Sequence, residues 1–266
     1  MSANQAYALA LGDDALILGQ RLIEWITKAP ELEEEVALAN IALDLLGQAR
    51  VLLARAGHVE GLSLMAGSAG SAGRGRGEDA FAFFRDQAEF RNVGLAEPSD
   101  ERDFGRCIAR LLLFSTWRLA LLQRLRGSAD PVLAAVAGKG VKELAYHRDY
   151  AARWALRLGD GTAESHRRMQ AGLDGVWPFV GELFRTSAEE RRLAAVGVAV
   201  DPAQTRAEFD AVLDQVLDAA TLTRPDRPAM GPLGGRGGRQ GVHTEALGHV
   251  LDQMQGLARR HPGATW

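Results

Sequence analysis

Apolar residues recur at steps of three and four positions along most of the chain, which is the spacing of one face of an α-helix. The clearest case lies between positions 31 and 57. One stripe of this segment consists of Leu38, Ile41, Leu45, Gln48 and Leu52. Glutamates crowd its start, where negative charge is favourable against the helix dipole. No stretch of useful length alternates apolar and polar residues as a β-strand would. The pattern predicts an all-α protein.

Prolines, glycines and capping residues interrupt this periodicity and divide the chain into separate helices. The four long helices of the predicted core cover residues 11–28, 31–57, 101–126 and 131–158. Shorter helices are expected in residues 79–95, 165–185 with a break at Pro178, 186–197, 202–222 and 244–261. Two Gly-rich segments, 66–78 and 223–241, are predicted to be irregular loops. We expect residues 1–266 to form one domain, an antiparallel four-helix bundle with extra peripheral helices.

Composition and charge exclude some classes of function. The chain is 47% apolar and 24% charged, with a formal net charge of -3, so a general nucleic-acid-binding role is not indicated. The single cysteine, Cys107, cannot form an internal disulfide and is expected to be buried. Asp13 and Asp14 interrupt the apolar N-terminus, which is not typical of a signal peptide. No apolar run approaches the roughly 20 residues of a membrane span. We expect a cytoplasmic protein without a membrane or nucleic-acid partner.

The segment VKELAYHRDY, residues 141–150, has the outline of a metal-binding helix. Helical bundles that hold two irons use one Glu from each of two helices and Glu-x-x-His from each of the other two. Iron favours such sets because carboxylates are hard oxygen donors and imidazole is a neutral nitrogen donor. Here Tyr146 occupies the His position after Glu143, and His147 follows one residue late.

The other core helices do not supply the missing ligands. The first offers Glu24, and the second offers Asp44 with Gly47 in the His position. Residues 104–127 of the third contain no Asp, Glu or His. We interpret Glu24, Asp44, Glu143 and His147 as vestigial ligand-like positions, and we predict that the chain carries no catalytic, cofactor-binding or metal-binding residue.

These side chains have other interpretations. His147 lies on an apolar helix face and is expected to be buried and hydrogen-bonded. Glu24 and Glu143 could belong to a buried polar network with Tyr146 or nearby arginines, or they could be rim residues on solvated faces. The sequence leaves these two alternatives open, because an unpaired buried carboxylate is costly.

A second cluster of ligand-type residues lies near the C-terminus. His243, Glu245 and His249 do not share a helix face, since they stand at i, i+2 and i+6. We therefore interpret Thr244 as the cap of an amphipathic helix.

Four segments together resemble one family: LGDDALILGQRLIEW, APELEEEVALANIALDLLGQAR, KELAYHRDYAARWALRLGDGT and GRQGVHTEALGHVLDQMQ. They are similar to the C subunits of the bacterial phenylacetyl-CoA epoxidases, also called ring-1,2-phenylacetyl-CoA oxygenases or monooxygenases. The resemblance extends from about Leu11 to Trp266 and departs at the Gly-rich residues 66–77.

The resemblance implies a ferritin-like fold and a non-catalytic structural subunit of a multicomponent oxidoreductase. A homologous A subunit would carry the two irons and epoxidise the ring of the CoA thioester in aerobic phenylacetate catabolism. A reductase with FAD and an iron–sulfur centre would supply electrons from NADPH. The expected partners are the A subunit and the other epoxidase subunits, and self-association through an apolar surface is also expected. The Gly/Arg segment 234–241 could contact a CoA phosphate, although a solvated or partner-contacting loop is the preferred interpretation.

Two other functions compete with this one. The chain could be a divergent metal-binding oxygenase that uses Glu24, Asp44, Glu143 and His147, in which case the purified chain would contain iron. It could also be a ferritin-like storage or binding module that acts alone, in which case it would form no stable complex with an oxygenase subunit.

Overall fold

The computed structural model describes residues 1–67, 75–99, 103–229, 237–262 and 264, and no β-strand occurs in these ranges. The α-helices are α1 (Ala3–Ile23), α2 (Leu32–Gly67), α3 (Glu78–Phe83), α4 (Phe104–Leu125), α5 (Pro131–Gly159), α6 (Ala163–Val176), α7 (Ala188–Ala195), α8 (Arg206–Ala219) and α9 (Glu245–Arg260). Short 3₁₀ segments cover Gln87–Glu89, Gly94–Ala96, Trp177–Phe184, Pro202–Thr205 and Gly238–Gln240. The all-α fold predicted from the sequence is confirmed.

The core is a bundle of α1, α2, α4 and α5. α1 packs along α2, and α4 packs along α5. α2 and α5 run antiparallel, because Asp44 meets His147 while Arg55, further along α2, meets Asp130 at the start of α5. Asp130 also caps α5 by accepting hydrogen bonds from the backbone N–H groups of Val132 and Leu133. The predicted antiparallel four-helix bundle is therefore present, and α6 and α8 pack on the outside of α4.

The first two helices are longer than predicted, although α1 ends at Ile23 rather than at residue 28. α1 begins at Ala3 rather than at residue 11. Ser2 is its N-cap, and the side chain of Ser2 accepts a hydrogen bond from the backbone N–H of Gln5. α2 continues through Gly57, which the sequence suggested as its end, to Gly67. A Cβ atom on Gly57 would lie 1.8 Å from the carbonyl oxygen of Arg76. This glycine permits the close approach of another segment and does not stop the helix.

Several shorter segments also differ from their predictions. Pro178 does break its helix, since α6 ends at Val176 and a 3₁₀ segment follows. The expected helix in residues 79–95 reduces to α3 and two 3₁₀ turns. The predicted start of the third core helix at residue 101 lies outside the described residues, as do the middle parts of the two Gly-rich segments, 68–74 and 230–236.

One stretch of α2, Leu32–Leu62, is long and apolar enough to cross a membrane by length and composition alone, with a mean hydropathy of 1.5. The sequence prediction that no such stretch exists was wrong on this criterion. The same stretch packs against α1 and α5, and 44% of its most apolar window is buried inside the bundle. It meets the criterion because both its inner and its outer faces carry apolar residues, as a core helix of a soluble bundle also can.

Candidate functional site

A buried guanidinium group, that of Arg118 on α4, lies at the centre of the bundle. Its Nε and Nη2 atoms donate to the side-chain oxygen of Gln48 on α2, at 3.2 and 3.1 Å. Nη2 also donates to the carbonyl oxygen of Leu11 on α1 at 3.1 Å, and Nη1 lies 3.7 Å from a carboxylate oxygen of Asp14. Burial lowers the pKa of Arg118 to about 10, mainly by desolvation. The interior of the bundle therefore contains a positive charge that is supplied by a protein side chain.

Gln48 links this guanidinium to α5. Its amide nitrogen donates to Glu143 at 2.9 Å, and Glu143 also pairs with Lys139 at 2.9 Å. Because the Glu143 side chain is 10% exposed and Lys139 is 74% exposed, the chain of contacts runs from solvent to the bundle centre. The network interpretation of Glu143 is therefore correct, but its partners are Gln48 and Lys139 rather than Tyr146, which is half exposed.

On the α1 side, Asp14 binds Arg239 of the Gly/Arg segment. Both terminal nitrogens of Arg239 donate to its carboxylate, at 2.8 and 2.7 Å, and the backbone N–H of Val93 donates at 2.8 Å. Burial disfavours the charge of Arg239, but the Asp14 carboxylate outweighs this and raises the pKa of Arg239 above its usual range. Arg239 is engaged inside the protein, so neither the phosphate-contact nor the solvated-loop interpretation describes it. The preceding residues 230–236 lie outside the described ranges.

The neighbouring carboxylate, Asp13, is equally buried and pairs with a different arginine. Arg85 donates to both of its oxygens, and the backbone N–H of Arg91 donates at 2.8 Å. Burial raises the pKa of Asp13, while the Arg85 charge opposes this shift. Sequence reasoning used Asp13 and Asp14 only against a signal peptide. Two adjacent carboxylates inside an apolar helix are themselves a signal for buried ion pairs, because such groups are rarely buried without a partner.

His147 and Asp44 form a separate pair between α5 and α2. His147 is fully buried, and its Nε2 atom lies 3.0 Å from a carboxylate oxygen of Asp44. Burial lowers the pKa of His147, with Asp44 opposing the shift, so the imidazole is neutral and donates from Nε2. The prediction of a buried, hydrogen-bonded histidine is confirmed.

Glu24 lies apart from these groups at the end of α1. It pairs with Arg21 at 2.6 Å, and its side chain is 33% exposed. Arg21 in turn donates to the carbonyl oxygens of Glu97 and Ala246, which ties this end of α1 to the start of α9. Glu24 is thus a partly exposed partner of a structural arginine.

The ligand-like positions do not converge on a metal-binding geometry. No group of three or more His, Cys, Asp or Glu side chains that could hold a metal ion occurs among the described residues. In the same part of the chain the Nδ1 atom of His147 is buried without a hydrogen-bond partner, but the nearby Arg118 charge disfavours a further cation there. A di-iron centre draws carboxylate and imidazole ligands from four helices. The residues present do not fit one.

The second ligand-type cluster is also a structural contact. The two ring nitrogens of His243 lie 2.7 Å from a carboxylate oxygen of Glu97 and 3.1 Å from the carbonyl oxygen of Phe90. Thr244 occupies the N-cap position of α9, as predicted, but its side chain does not cap the helix. Its hydroxyl donates to Glu97 instead, at 2.8 Å. His249 lies one turn into α9 and belongs to no group of three or more metal-ligand side chains in the described ranges.

Comparisons with known proteins agree on one relationship. The family described as "Phenylacetic acid catabolic protein" matches residues 2–266. Among curated proteins, the chain is similar to the C subunit of the 1,2-phenylacetyl-CoA epoxidase of Escherichia coli (strain K12). The two sequences are 42% identical over 266 residues, which is the full length of both.

Proposed function

From the premise that this chain belongs to the phenylacetic acid catabolic protein family, we propose that it is the C subunit of a 1,2-phenylacetyl-CoA epoxidase. The full-length similarity to a subunit of that name supports this assignment. The chain is a non-catalytic structural component of the complex. It supports a catalytic A subunit in aerobic phenylacetate catabolism, in the cytoplasm.

The observation that carries the structural role is the filling of the bundle centre. A metal cofactor would need inward-facing carboxylate and imidazole groups at this place. Arg118 and Gln48 stand there instead, and their hydrogen bonds connect α4 with α1 and α2. The Gln48 contact to Glu143 adds α5. These contacts between protein groups link four helices and support a structural role, and we assign the chemistry to another subunit.

The cofactors of the reaction are accordingly assigned to the partners. The A subunit holds the two irons, and a reductase with FAD and an iron–sulfur centre delivers electrons from NADPH. The alternatives, a divergent metal-binding oxygenase or a storage module that acts alone, would require iron in the purified chain or the absence of a stable complex. No contact in the described part of the structure favours either.

The test is reconstitution of the epoxidase from separately purified subunits with and without this chain. We expect co-purification with the A subunit, a complex mass that includes both chains, and epoxidation of phenylacetyl-CoA that is lost or strongly reduced when this chain is omitted. Full turnover by the A subunit and reductase without this chain would contradict the proposed role.

A further inference from the structure

The outer face of α2 is an apolar stripe that the bundle leaves uncovered. The exposed fractions of its large apolar residues are 70% for Leu32, 53% for Val36, 64% for Leu43, 44% for Val51 and 53% for Leu62. The opposite face of α2 is in the core, so this helix is apolar on two sides. Several large apolar residues exposed along one helix are typical of a docking surface.

The exposed positions of this face follow the spacing of a coiled-coil seam. Successive steps of three and four residues connect six positions, all of them exposed: Glu33, Val36, Asn40, Leu43, Gly47 and Arg50. In heptad terms the first, third and fifth are a positions, and the others are d positions. Such a seam faces a partner helix along its whole length, and no other element of the described chain covers it.

Gly47 lies within this seam. A Cβ atom built there would meet nothing within 4 Å, so no contact within the described chain requires glycine. Glycine inside a helix weakens it relative to alanine, because it gains more freedom on unfolding. A second helix packed closely against α2 would explain a residue without a side chain at this point.

The seam is complementary to itself when it is reversed. An antiparallel copy with its two-fold axis midway between Ile41 and Ala42 places every a position opposite a d position. Val36 then packs opposite Gly47, whose missing side chain makes room for it, and Asn40 packs opposite Leu43. The symmetry repeats each of these contacts on the other side of the axis.

The charges at the two ends of the seam follow the same symmetry. Glu33 of each copy lies opposite Arg50 of the other, so two equivalent ion pairs flank the centre of the seam. Among the described residues Arg50 makes only a long contact, of 3.4 Å to Glu78, and its side chain is 77% exposed. The guanidinium is therefore available to a partner.

The crossing angle follows from the length of the contact. Glu33 and Arg50 are about 26 Å apart along the helix, so each ion pair lies about 13 Å from the axis, at about 1.5 Å per residue. A crossing of about 20° displaces the two helices sideways there by about 4–5 Å, so that an interaxial distance of about 9 Å grows to about 10 Å, whereas a crossing of about 50° displaces them by about 11 Å and the distance grows to about 14 Å. The shallow crossing therefore favours both ion pairs, because it keeps the helix axes closest at the positions of Glu33 and Arg50.

We propose that the outer face of α2 binds the same face of a second copy of this chain, in an antiparallel helix pair whose two-fold axis passes between residues 41 and 42. The pair rests on exposed apolar residues, an a-to-d register without a mismatch of charge, and a glycine that makes room for Val36 of the second copy.

The first test uses sedimentation equilibrium of the purified full-length chain between about 1 and 100 μM, the range of weak specific dimers. The wild-type chain is expected to dimerise. Glu33→Arg and Arg50→Glu should each weaken the dimer at least about tenfold, because each places like charges opposite one another twice. An equimolar mixture of these two variants should regain dimerisation, since in the heterodimer both pairs are again of opposite charge.

A matched control separates this effect from the contact that Arg50 makes within its own chain. Glu78→Gln removes the partner of that contact and leaves the seam unchanged. The dimer of this variant should be at least as strong as that of the wild type. A tenfold weakening by Glu78→Gln would contradict the assignment of Arg50 to the second copy.

A second pair of variants tests the close approach at Gly47. Gly47→Gln should leave the circular dichroism spectrum of the monomer unchanged, because its side chain has open space, and it should abolish dimerisation. Gly256→Gln on α9 is the matched control. A Cβ at that position also meets nothing within 4 Å, and the dimer should persist.

Three further results would overturn the proposal. The first is a wild-type chain that stays monomeric at about 100 μM, which lies at the weak end for specific association. The others are a mixture of the two charge variants that fails to dimerise, and a dimer that Gly47→Gln leaves intact. Protection of α2 from hydrogen exchange only in the complex with the A subunit would assign this face to that subunit, and would likewise overturn self-pairing. The proposed function does not depend on the outcome, because its own test measures turnover of the reconstituted complex.

Discussion

Asp14→Asn is expected to be among the most destabilising single-atom changes in this bundle. The carboxylate accepts two hydrogen bonds from Arg239 and one from the backbone of Val93, and it lies 3.7 Å from the guanidinium of Arg118. Its side chain is fully buried, as is that of Arg118, while Arg239 is 17% exposed. One negative charge thus compensates two guanidinium groups, one fully buried and one partly exposed.

The size of the effect follows from what asparagine can replace. Its oxygen can still accept from Val93 and from one nitrogen of Arg239, but its NH₂ group would face donors of both arginines. Breaking one partner of a buried ion pair typically costs about 3–5 kcal/mol, and the partial exposure of Arg239 places the expected loss nearer 3 kcal/mol. Combining Asp14→Asn with Arg118→Met should cost about 1–2 kcal/mol less than the sum of the two single changes, because it removes one uncompensated cation.

Urea denaturation at fixed protein concentration, followed by circular dichroism, measures these differences from the shift of the midpoint. The matched control is Asp149→Asn, because Asp149 forms an ion pair with Arg153 in which both side chains are mostly exposed. That change should cost less than about 1 kcal/mol. A loss for Asp14→Asn no larger than for this control would refute the description of Asp14 as the charge that compensates both Arg118 and Arg239.

Two further predictions concern pH and packing. The pKa of His147 is lowered from 6.5 by burial, so below that pH the unfolded chain binds the proton more readily than the folded chain does. The contribution of His147 to stability should be complete above pH 6.5 and should decline as the pH falls below it. The variant His147→Gln, which can still donate to Asp44, should make the melting temperature less dependent on pH in that range. Gly172→Ala should destabilise the protein by about 1–3 kcal/mol in urea denaturation, because its Cβ would lie 2.7 Å from the backbone of Arg106 on α4. Gly175→Ala on the same helix, where the nearest atoms are 3.8 Å away, should be neutral or stabilising by up to about 1 kcal/mol, and equal effects of the two changes would contradict the close α4–α6 approach.

The sequence predicts the helices well because their periodicity and caps are local. Pro131 and Asp130, for example, define the start of α5 as the structure has it. The end of α2 could not be predicted, since Gly57 looks like a stop in sequence. Its real role depends on Arg76, which is distant in sequence but approaches the helix in space. Local sequence patterns do not predict contacts between segments that are distant in sequence.

The bundle centre shows a similar limit. A search for metal ligands finds Glu143 and His147 but passes over Arg118, because arginine is not a ligand type. One signal was present: Gln48 interrupts an otherwise apolar stripe, and a buried amide needs a partner. Which partner it has depends on how α4 packs against α2, and that is fixed only by the assembled bundle.

The most direct test of the structural role is turnover by the reconstituted epoxidase with a triple variant of this chain, Asp44→Asn, Glu143→Gln and His147→Gln. These are the ligand-like residues that lie between α2 and α5, and their replacement should alter only hydrogen bonds that cost about 0.5–1.5 kcal/mol each. We expect a complex of unchanged mass and turnover close to wild type. Loss of a catalytic acid–base group typically lowers the rate by about 10²–10⁴-fold. A fall of that size in a correctly assembled complex would show that this chain takes part in the chemistry and would contradict the account.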